Sequence, residues 1–225
     1  LKLVAETFPH LRIRFSTSNP QDMSSDVILT MSKYKNICNH IHLPVQSGSD
    51  DVLKAMNRQH TRAEYLTLIK EIKEIIPDCS ISQDIITGFP NETENDHKLT
   101  LDLMDKVKYD FGYMFKYSER PGTFAAKKFK DNVSELVKKN RLQEIVDLQQ
   151  EHSNFRTNNY VGKSVEVLIE KESKKSNMQW SGRNEQNTVV VFNKEDYKIG
   201  DFVNVLIKKC TSATLIGEAI NPTNK

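Results

Sequence analysis

The feature that most restricts how this chain can fold is a unit repeated four times: a strand-like run, a polar loop, then a helix-like stretch. The first unit is LRIRF at residues 11–15, then STSNP, then Met23, Val27, Ile28 and Met31 at helical spacing. In the second, Ile41, Leu43 and Val45 alternate with His40, His42 and Pro44, which reads as a strand ending at the proline. The loop QSGS follows, and Gly48 is expected to supply the backbone freedom of its turn. Ser49 with Asp50 can cap a short helix closed by Arg58. Thr61 with Glu64 spells a capping box for a longer helix that Pro77 ends. The third unit is CSISQDII at 79–86, the loop TGFPNET, and a helix through Leu99, Leu103, Met104 and Val107. The fourth is an aromatic-rich run at 109–117, the loop SERPGT, the charged stretch KKFKDN, and a long helix over about 133–158. Such alternation predicts parallel βα units whose polar loops gather along one edge of the sheet. That edge is where α/β proteins hold ligands.

After Tyr160 the pattern changes. Short strand-like runs at 165–169, 189–191, 202–207 and 215–219 are separated by expected turns at 181–182, 193–194 and 199–201. Close spacing of short strands predicts a small antiparallel barrel. The expected class is therefore α/β: a partial (β/α) barrel over residues 1–155, then a small β-barrel over 156–225, tethered by the long helix. LKLVAETFPH reads as the last turns of a helix closed by Pro9. With no initiator methionine, Leu1 is read as a cut inside a larger protein, of which these residues form a C-terminal piece.

Hydrophobic residues make up 37% of the 225 and charged residues 28%, enough apolar material for a core. A net charge of +2 requires no polyanionic partner, so any nucleic-acid surface must come from local clustering. The three cysteines, Cys38, Cys79 and Cys210, stand far apart and form no C-x-x-C pair. That excludes a disulfide framework and argues against a zinc or iron–sulfur site built from this chain alone. No run approaches the roughly 18 apolar residues of a membrane span, and no secretory signal opens the chain. A reducing cytoplasm fits this cysteine usage.

The residues placed to do chemistry are those at the strand ends: Thr17 and Ser18, Gln46 and Ser47, Asp84 with Gly88, and residues 117–123. Alternation puts Asp84 on one face with Ser80, Ser82 and Ile86. A carboxylate inside such a strand is costly unless it is hydrogen-bonded or binds a ligand. Pairing with a neighbouring arginine is an equally good reading of this segment. In the last part Lys171, Lys174, Lys175, Arg183, Lys194, Lys198, Lys208 and Lys209 offer cations for phosphates, and Trp180, Phe192 and Tyr197 offer rings for splayed bases. Glu166, Glu170, Glu172 and Glu185 lie among them, so a solvated mixed-charge surface explains the same residues.

LPVQSGSD, then MNR with His60 and Thr61, then DIITGFPNET, then YSERPGT resemble the radical S-adenosylmethionine methylthiotransferases in order and spacing, from about residue 11 to the end. FSTSNP at 15–20 is similar to the branch that acts on tRNA. SGR at 181–183 with VVVF at 189–192 resembles the TRAM domain that closes these proteins. Asn91 stands where the family usually has glycine, and Asn19 where it often has histidine. The family's cluster motif, C-x-x-x-C-x-x-C, is missing from these residues. The resemblance implies S-adenosylmethionine as cofactor, and 4Fe-4S clusters in the full-length enzyme whose ligands this chain lacks. It implies that Gln46 bonds the cofactor's ribose, Arg58 pairs with its carboxylate, Asp84 accepts from ribose hydroxyls, and Gly88 and Phe89 form the turn beside the adenine, with Ser47 in the same set. It implies a tRNA partner, met by Lys174, Lys175, Arg183, Lys208 and Lys209, and installation of a methylthio group on the isopentenylated adenosine 3′ of the anticodon. A relative acting on threonylcarbamoyl-adenosine, or a non-catalytic RNA-binding module, are the alternatives. The sulfur donor is not legible. A barrel lacking its first strands would expose the 11–15 strand edge, so self-association through that edge is expected.

Overall fold

The opening segment forms α1 (Lys2–Thr7), a 3-10 turn at Pro20–Asp22 and α2 (Ser25–Lys33) in a computed structural model that describes residues 1–16 and 19–220. Strands β1 (His40–His42), β2 (Ser80–Thr87) and β3 (Phe111–Lys116) then pair in parallel, in that order. Parallel neighbours need crossovers. Helices α3 (Asp50–Ala55) and α4 (Arg62–Ile75) supply the first, and α5 (Glu94–Val107) the second. The capping box at Thr61 and Glu64 forms as expected, and Thr93 with Asp96 makes a second one at the start of α5.

The strand period of two decides the two faces of this sheet. Ile41, Ile81 and Ile85 are buried with Tyr65, Ile69 and Ile72 of α4 and Leu103 and Met104 of α5. The opposite face carries His40, His42, Ser82, Asp84, Phe111 and Tyr113, which touch one another across the register His42 to Ser82 and Asp84 to Tyr113. One face is thus a core, and the other a polar and aromatic wall.

The expected strand at 11–15 is reduced to a single bridge, Ile13 with Ile37. Arg12 and Arg14, its alternate residues, are drawn into the second domain instead. The Arg12 guanidinium donates to the Arg183 carbonyl and to Glu166, and that of Arg14 donates to the carbonyls of Asn184 and Glu185. The segment thus bridges Ile37 on one side, while its arginine side chains tie it to the second domain.

Beyond β3 the chain makes a short helix that sequence reading missed, α6 (Phe124–Lys128), and then α7 (Glu135–Asn158). The residues α7 buries include Lys138, Arg141, Gln149, His152, Ser153 and Thr157, with Ile145 among them. They recur every three or four positions, so one stripe faces the barrel, but it is held by polar bonds. Gln149 donates to the Tyr109 carbonyl, Ser153 to the Asp110 carbonyl, and His152 Nε2 lies 3.0 Å from Asp105. The helix runs without a break across residues 155 and 156.

Strands β4 (Ser164–Ser173), β5 (Ser176–Arg183), β6 (Val189–Asn193), β7 (Phe202–Cys210) and β8 (Thr214–Ala219) close a barrel in the order β4-β5-β6-β8-β7. Its pairings are antiparallel except β6 with β8, which is parallel. Val167, Ile169, Val190, Phe192, Val203, Val205, Ile207 and Leu215 fill it. Ser181 and Gly182, expected in a turn, lie inside β5. A Cβ on Gly182 would stand 2.1 Å from the Leu168 carbonyl oxygen, so glycine here serves close strand approach rather than a bend.

The small barrel meets the first domain through the connection between β5 and β6. The loop at residues 184–188 buries Asn184 and Gln186 against the first domain. Ser80 Oγ donates to the Gln186 carbonyl at 2.7 Å, and the Gln186 amide donates to Asp78 at 2.9 Å. Arg156 pairs with Asp110 at 3.0 Å beside this seam. Ser80 begins β2 and Asp110 directly precedes β3, so the small barrel docks at the N-terminal ends of the strands, opposite the polar loops.

Candidate functional site

At the C-terminal edge the sheet continues past β1 for one bridge. The Gln46 amide donates to the Asp84 carbonyl at 2.8 Å, and the Ile86 amide donates to the Gln46 carbonyl at 3.0 Å. Gln46 then turns the chain with φ of +70°. The left-handed residue of this loop is therefore Gln46 and not Gly48. Glycine at 48 is needed for a different reason: a Cβ there would lie 2.5 Å from the Leu99 carbonyl oxygen and 2.6 Å from Thr100 Cα. The Gly48 amide donates to Thr100 Oγ1 at 2.9 Å, which presses the loop onto α5.

Asp84 faces the polar wall. Its Oδ1 is buried and has no hydrogen-bond partner among the described residues. The neighbouring base is His42 rather than an arginine, with Nε2 at 3.5 Å from that oxygen. At this separation the two groups are in electrostatic contact without a well-formed hydrogen bond. Arg58 is half-buried. Burial lowers its pKa and the nearby charge of Asp84 opposes that shift. Its Nη1 lies 3.5 Å from Asn19 Oδ1, a long bond that leaves the fork available. Thr17 and Ser18, expected at this edge, lie outside the described residues.

The turn after β2 is bolted from behind. The Glu92 carboxylate accepts from the Gly88 amide at 2.8 Å, from Thr87 Oγ1 at 3.3 Å and from Arg141 Nη1 at 2.9 Å. Burial raises the Glu92 pKa, against the pull of the Gly88 amide and Arg141. Gly88 has φ of +72°, and a Cβ on it would meet Lys138 Cγ at 2.4 Å. Asn91 has φ of +67° and exchanges two bonds of 2.8 Å with Asn132, so asparagine does hold a conformation glycine would take freely.

The structure thus gathers Gln46, Asp84 and Arg58, with Gly88 just beyond. Ser47 and Phe89 take other parts. The Ser47 hydroxyl is buried and contacts Thr100 Oγ1 and the Ser49 amide, and the Phe89 ring is buried edge-on against Tyr117 and Phe129. They shape the loops rather than face the wall. Sequence reading missed His42, Ser82, Glu92 and Arg141. The alternation HIHL carried a signal for the histidines, because it set both on the face opposite Ile41.

Lys174 and Lys175 are exposed on the turn between β4 and β5, and Lys208 and Lys209 are exposed on β7, with Lys208 3.2 Å from Glu218. Arg183 departs from this set. Its Nη1 donates to the Asn187 carbonyl at 3.0 Å and its Nε lies 3.4 Å from Glu170, so it is engaged within its own domain while part of it stays exposed. Phe192 is fully buried in the small barrel and cannot stack on a base. Trp180 is covered on one face by Lys194 Nζ, 4.3 Å from its ring centre.

Gln46, Asp84, Arg58 and the Gly88 turn suit S-adenosylmethionine. A carboxylate that accepts no hydrogen bond from the described residues fits hydroxyls, and a fork held by one long bond fits a carboxylate. The thiols do not suit an iron–sulfur cluster. Cys38 and Cys79 are buried, burial pushes the Cys79 pKa up to about 12, and among the described residues no three His, Cys, Asp or Glu side chains gather at a metal site. No helix among the described residues is long and apolar enough to cross a membrane.

Residues 1–104 match the Radical SAM superfamily and residues 158–220 match the TRAM domain. The tRNA-2-methylthio-N(6)-dimethylallyladenosine synthase of Christiangramia forsetii is 70% identical over 98% of this chain and 46% of its own length. That of Flavobacterium johnsoniae is 64% identical over 98% of this chain and 46% of its own length. The chain thus spans about half the length of the curated relatives it matches. Coproporphyrinogen III oxidase (HemN) from Escherichia coli, a radical SAM enzyme, shares the fold at 16% identity and a TM-score of 0.52, over 74% of this chain and 45% of its own. A region matching the Radical SAM superfamily is thus followed by a TRAM domain, and along nearly its whole length the chain is similar to one half of these tRNA-modifying synthases.

Proposed function

We propose that these residues form the cofactor-holding wall and the RNA-binding domain of an enzyme that adds a methylthio group to the isopentenylated adenosine 3′ of a tRNA anticodon. The observation that supports this reading is the convergence of Gln46, Asp84 and Arg58 at the C-terminal strand ends, in a chain 70% identical to a synthase named for that product. When bound, S-adenosylmethionine supplies the methyl group and the radical-forming chemistry of this family. The chain's own residues bind and orient. Arg58 holds a carboxylate in its fork, Asp84 and Gln46 hold ribose hydroxyls, and the Gly88 turn, stiffened by Glu92 and Arg141, sits beside the adenine. Ile41, Ile81 and Ile85 behind the wall keep water from reaching it through the core. The division at residues 155 and 156 separates wall from RNA domain. Lys174, Lys175, Lys208 and Lys209 meet tRNA phosphates, and the enzyme works in the cytoplasm, where tRNA is.

Mass spectrometry of tRNA nucleosides tests this. A strain lacking the full-length gene should accumulate isopentenyladenosine without its methylthio group, and restoring the gene should return the modification. Loss of the methylthio group from threonylcarbamoyl-adenosine instead would assign the alternative substrate. An unchanged nucleoside profile would leave only an RNA-binding role.

A further inference from the structure

The polar wall holds a chain of contacts that the binding roles above leave unexplained. Ser82 Oγ lies 3.1 Å from His40 Nε2 and 2.8 Å from His42 Nδ1, and His42 Nε2 faces the unpartnered Oδ1 of Asp84 at 3.5 Å. One hydroxyl between two ring nitrogens carries one proton, so the chain has a direction. If the serine donated to His40, a neutral His42 would carry its hydrogen on Nδ1 and turn a lone pair toward the carboxylate. Two concentrations of negative charge in a half-buried site repel. The reverse arrangement satisfies every group: His40 Nε2 donates to Ser82, Ser82 donates to His42 Nδ1, and His42 Nε2–H points at Asp84. His40 stacks on Phe111 with ring centres 5.3 Å apart, and its burial, with the nearby charges of Arg14 and Arg183, favours the neutral ring. Tyr113 meets His42 edge-on at 6.2 Å and limits its rotation.

We propose that His42 is a positioning residue for Asp84: the directed chain from His40 through Ser82 fixes His42 with its hydrogen on Nε2, which draws in one carboxylate oxygen and leaves the other for a ligand's vicinal hydroxyls. The ligand class is a nucleoside ribose, so this inference rests on the cofactor reading above. The wall then explains why histidine occupies both outward positions of β1. Arg58 also feels the charge of Asp84, but it is the His42 ring nitrogen that lies against the carboxylate and can orient one of its oxygens.

Two measurements test this. In nitrogen-15 spectra of the chain's histidine rings at about pH 8, His42 should carry its hydrogen on Nε2, and Ser82→Ala should give a mixture of tautomers, with Ser82→Thr restoring the original state. A His42 ring carrying its hydrogen on Nδ1, or unmoved by Ser82→Ala, would overturn the inference. In the full-length synthase, Ser82→Ala and His42→Phe should each weaken equilibrium binding of S-adenosylmethionine about tenfold. Binding of tRNA should stay unchanged and Ser82→Thr should again recover affinity. Asp84→Ala separates the two claims. If it weakens cofactor binding while Ser82→Ala and His42→Phe do not, the positioning role is wrong and the cofactor reading stands. If Asp84→Ala has no effect, the cofactor reading fails, and the tautomer spectra still decide the chain.

Discussion

His40 sits where burial pushes its pKa down to about 4, below the ordinary value of 6.5. As pH falls, an unfolded chain takes up this proton before the folded one does. The stability owed to neutral His40 is therefore complete above about pH 6.5 and is lost on the way down to about pH 4, with a slope of at most ~1.4 kcal/mol per pH unit. Denaturant titrations between pH 7 and about pH 4.5 should show this decline, and His40→Asn should flatten it. An equal slope in both proteins would mean that other groups drive it. Gly48 carries a steric demand of the same local kind. Gly48→Ala should destabilise by about 1–3 kcal/mol, because the new methyl meets backbone of α5 that cannot swing aside. A variant as stable as the parent would show that α5 can shift. The sequence pointed correctly to a polar turn here, but it gave glycine the wrong task. Backbone torsion at Gln46 and the approach of α5 arise from packing that local residues do not encode.

At the scale of elements, α7 shows why a helix can be legible while its function is not. Its buried stripe is mostly polar, so it has no apolar face to reveal what it covers. What it covers is the turn after β2, through Lys138 behind Gly88 and Arg141 on Glu92. The side chains of Arg141 and Glu92 are 8% and 2% exposed, so removing one strands the other's charge. Arg141→Ala should cost about 3–5 kcal/mol of stability. The double variant Arg141→Met with Glu92→Gln should recover much of that loss in chemical denaturation. If the single variant costs no more than the double, water already screens this pair. Strand β5 was missed for a related reason. Ser176 to Arg183 mixes polar residues with a glycine, and only pairing with β4 and β6 makes it a strand.

For the whole molecule, the decisive feature is where the TRAM domain docks. It grips the N-terminal strand ends through Arg12, Arg14, Ser80 and Gln186. The candidate cofactor edge lies at the far end of β2, roughly 23 Å away at about 3.3 Å per residue. Arg14→Ala removes charged bonds to the carbonyls of Asn184, which keeps only the Asn187 amide, and of Glu185, and should loosen the seam by about 1–3 kcal/mol. Faster proteolysis between the domains would register this, and an unchanged rate would show the seam held elsewhere. The excess of Lys and Arg over Asp and Glu from Arg156 onward is modest, 11 against 8, so affinity for RNA should be modest and salt-sensitive. Replacing Lys174 and Lys175 with Gln in the intact chain should lower the slope of log affinity against log salt by about 1.4–1.8, the value for two lost phosphate contacts. No change in slope would return those lysines to a solvated surface.

The order of elements, the capping box, the two-faced strands and the family are legible from residues alone, because each rests on periodicity or on a local motif. Only the tertiary structure decided that 11–15 is a docking segment and not a strand. It also decided that Phe192 is buried in the small barrel, that Arg183 bonds the Asn187 carbonyl, and that Asp84 faces His42. Each of those outcomes turns on partners in another element or on burial by one, from Glu170 beside Arg183 to the seam between Arg12 and the Arg183 carbonyl. A side chain's neighbours in other elements are set by how the elements pack, and no local pattern of residues encodes them.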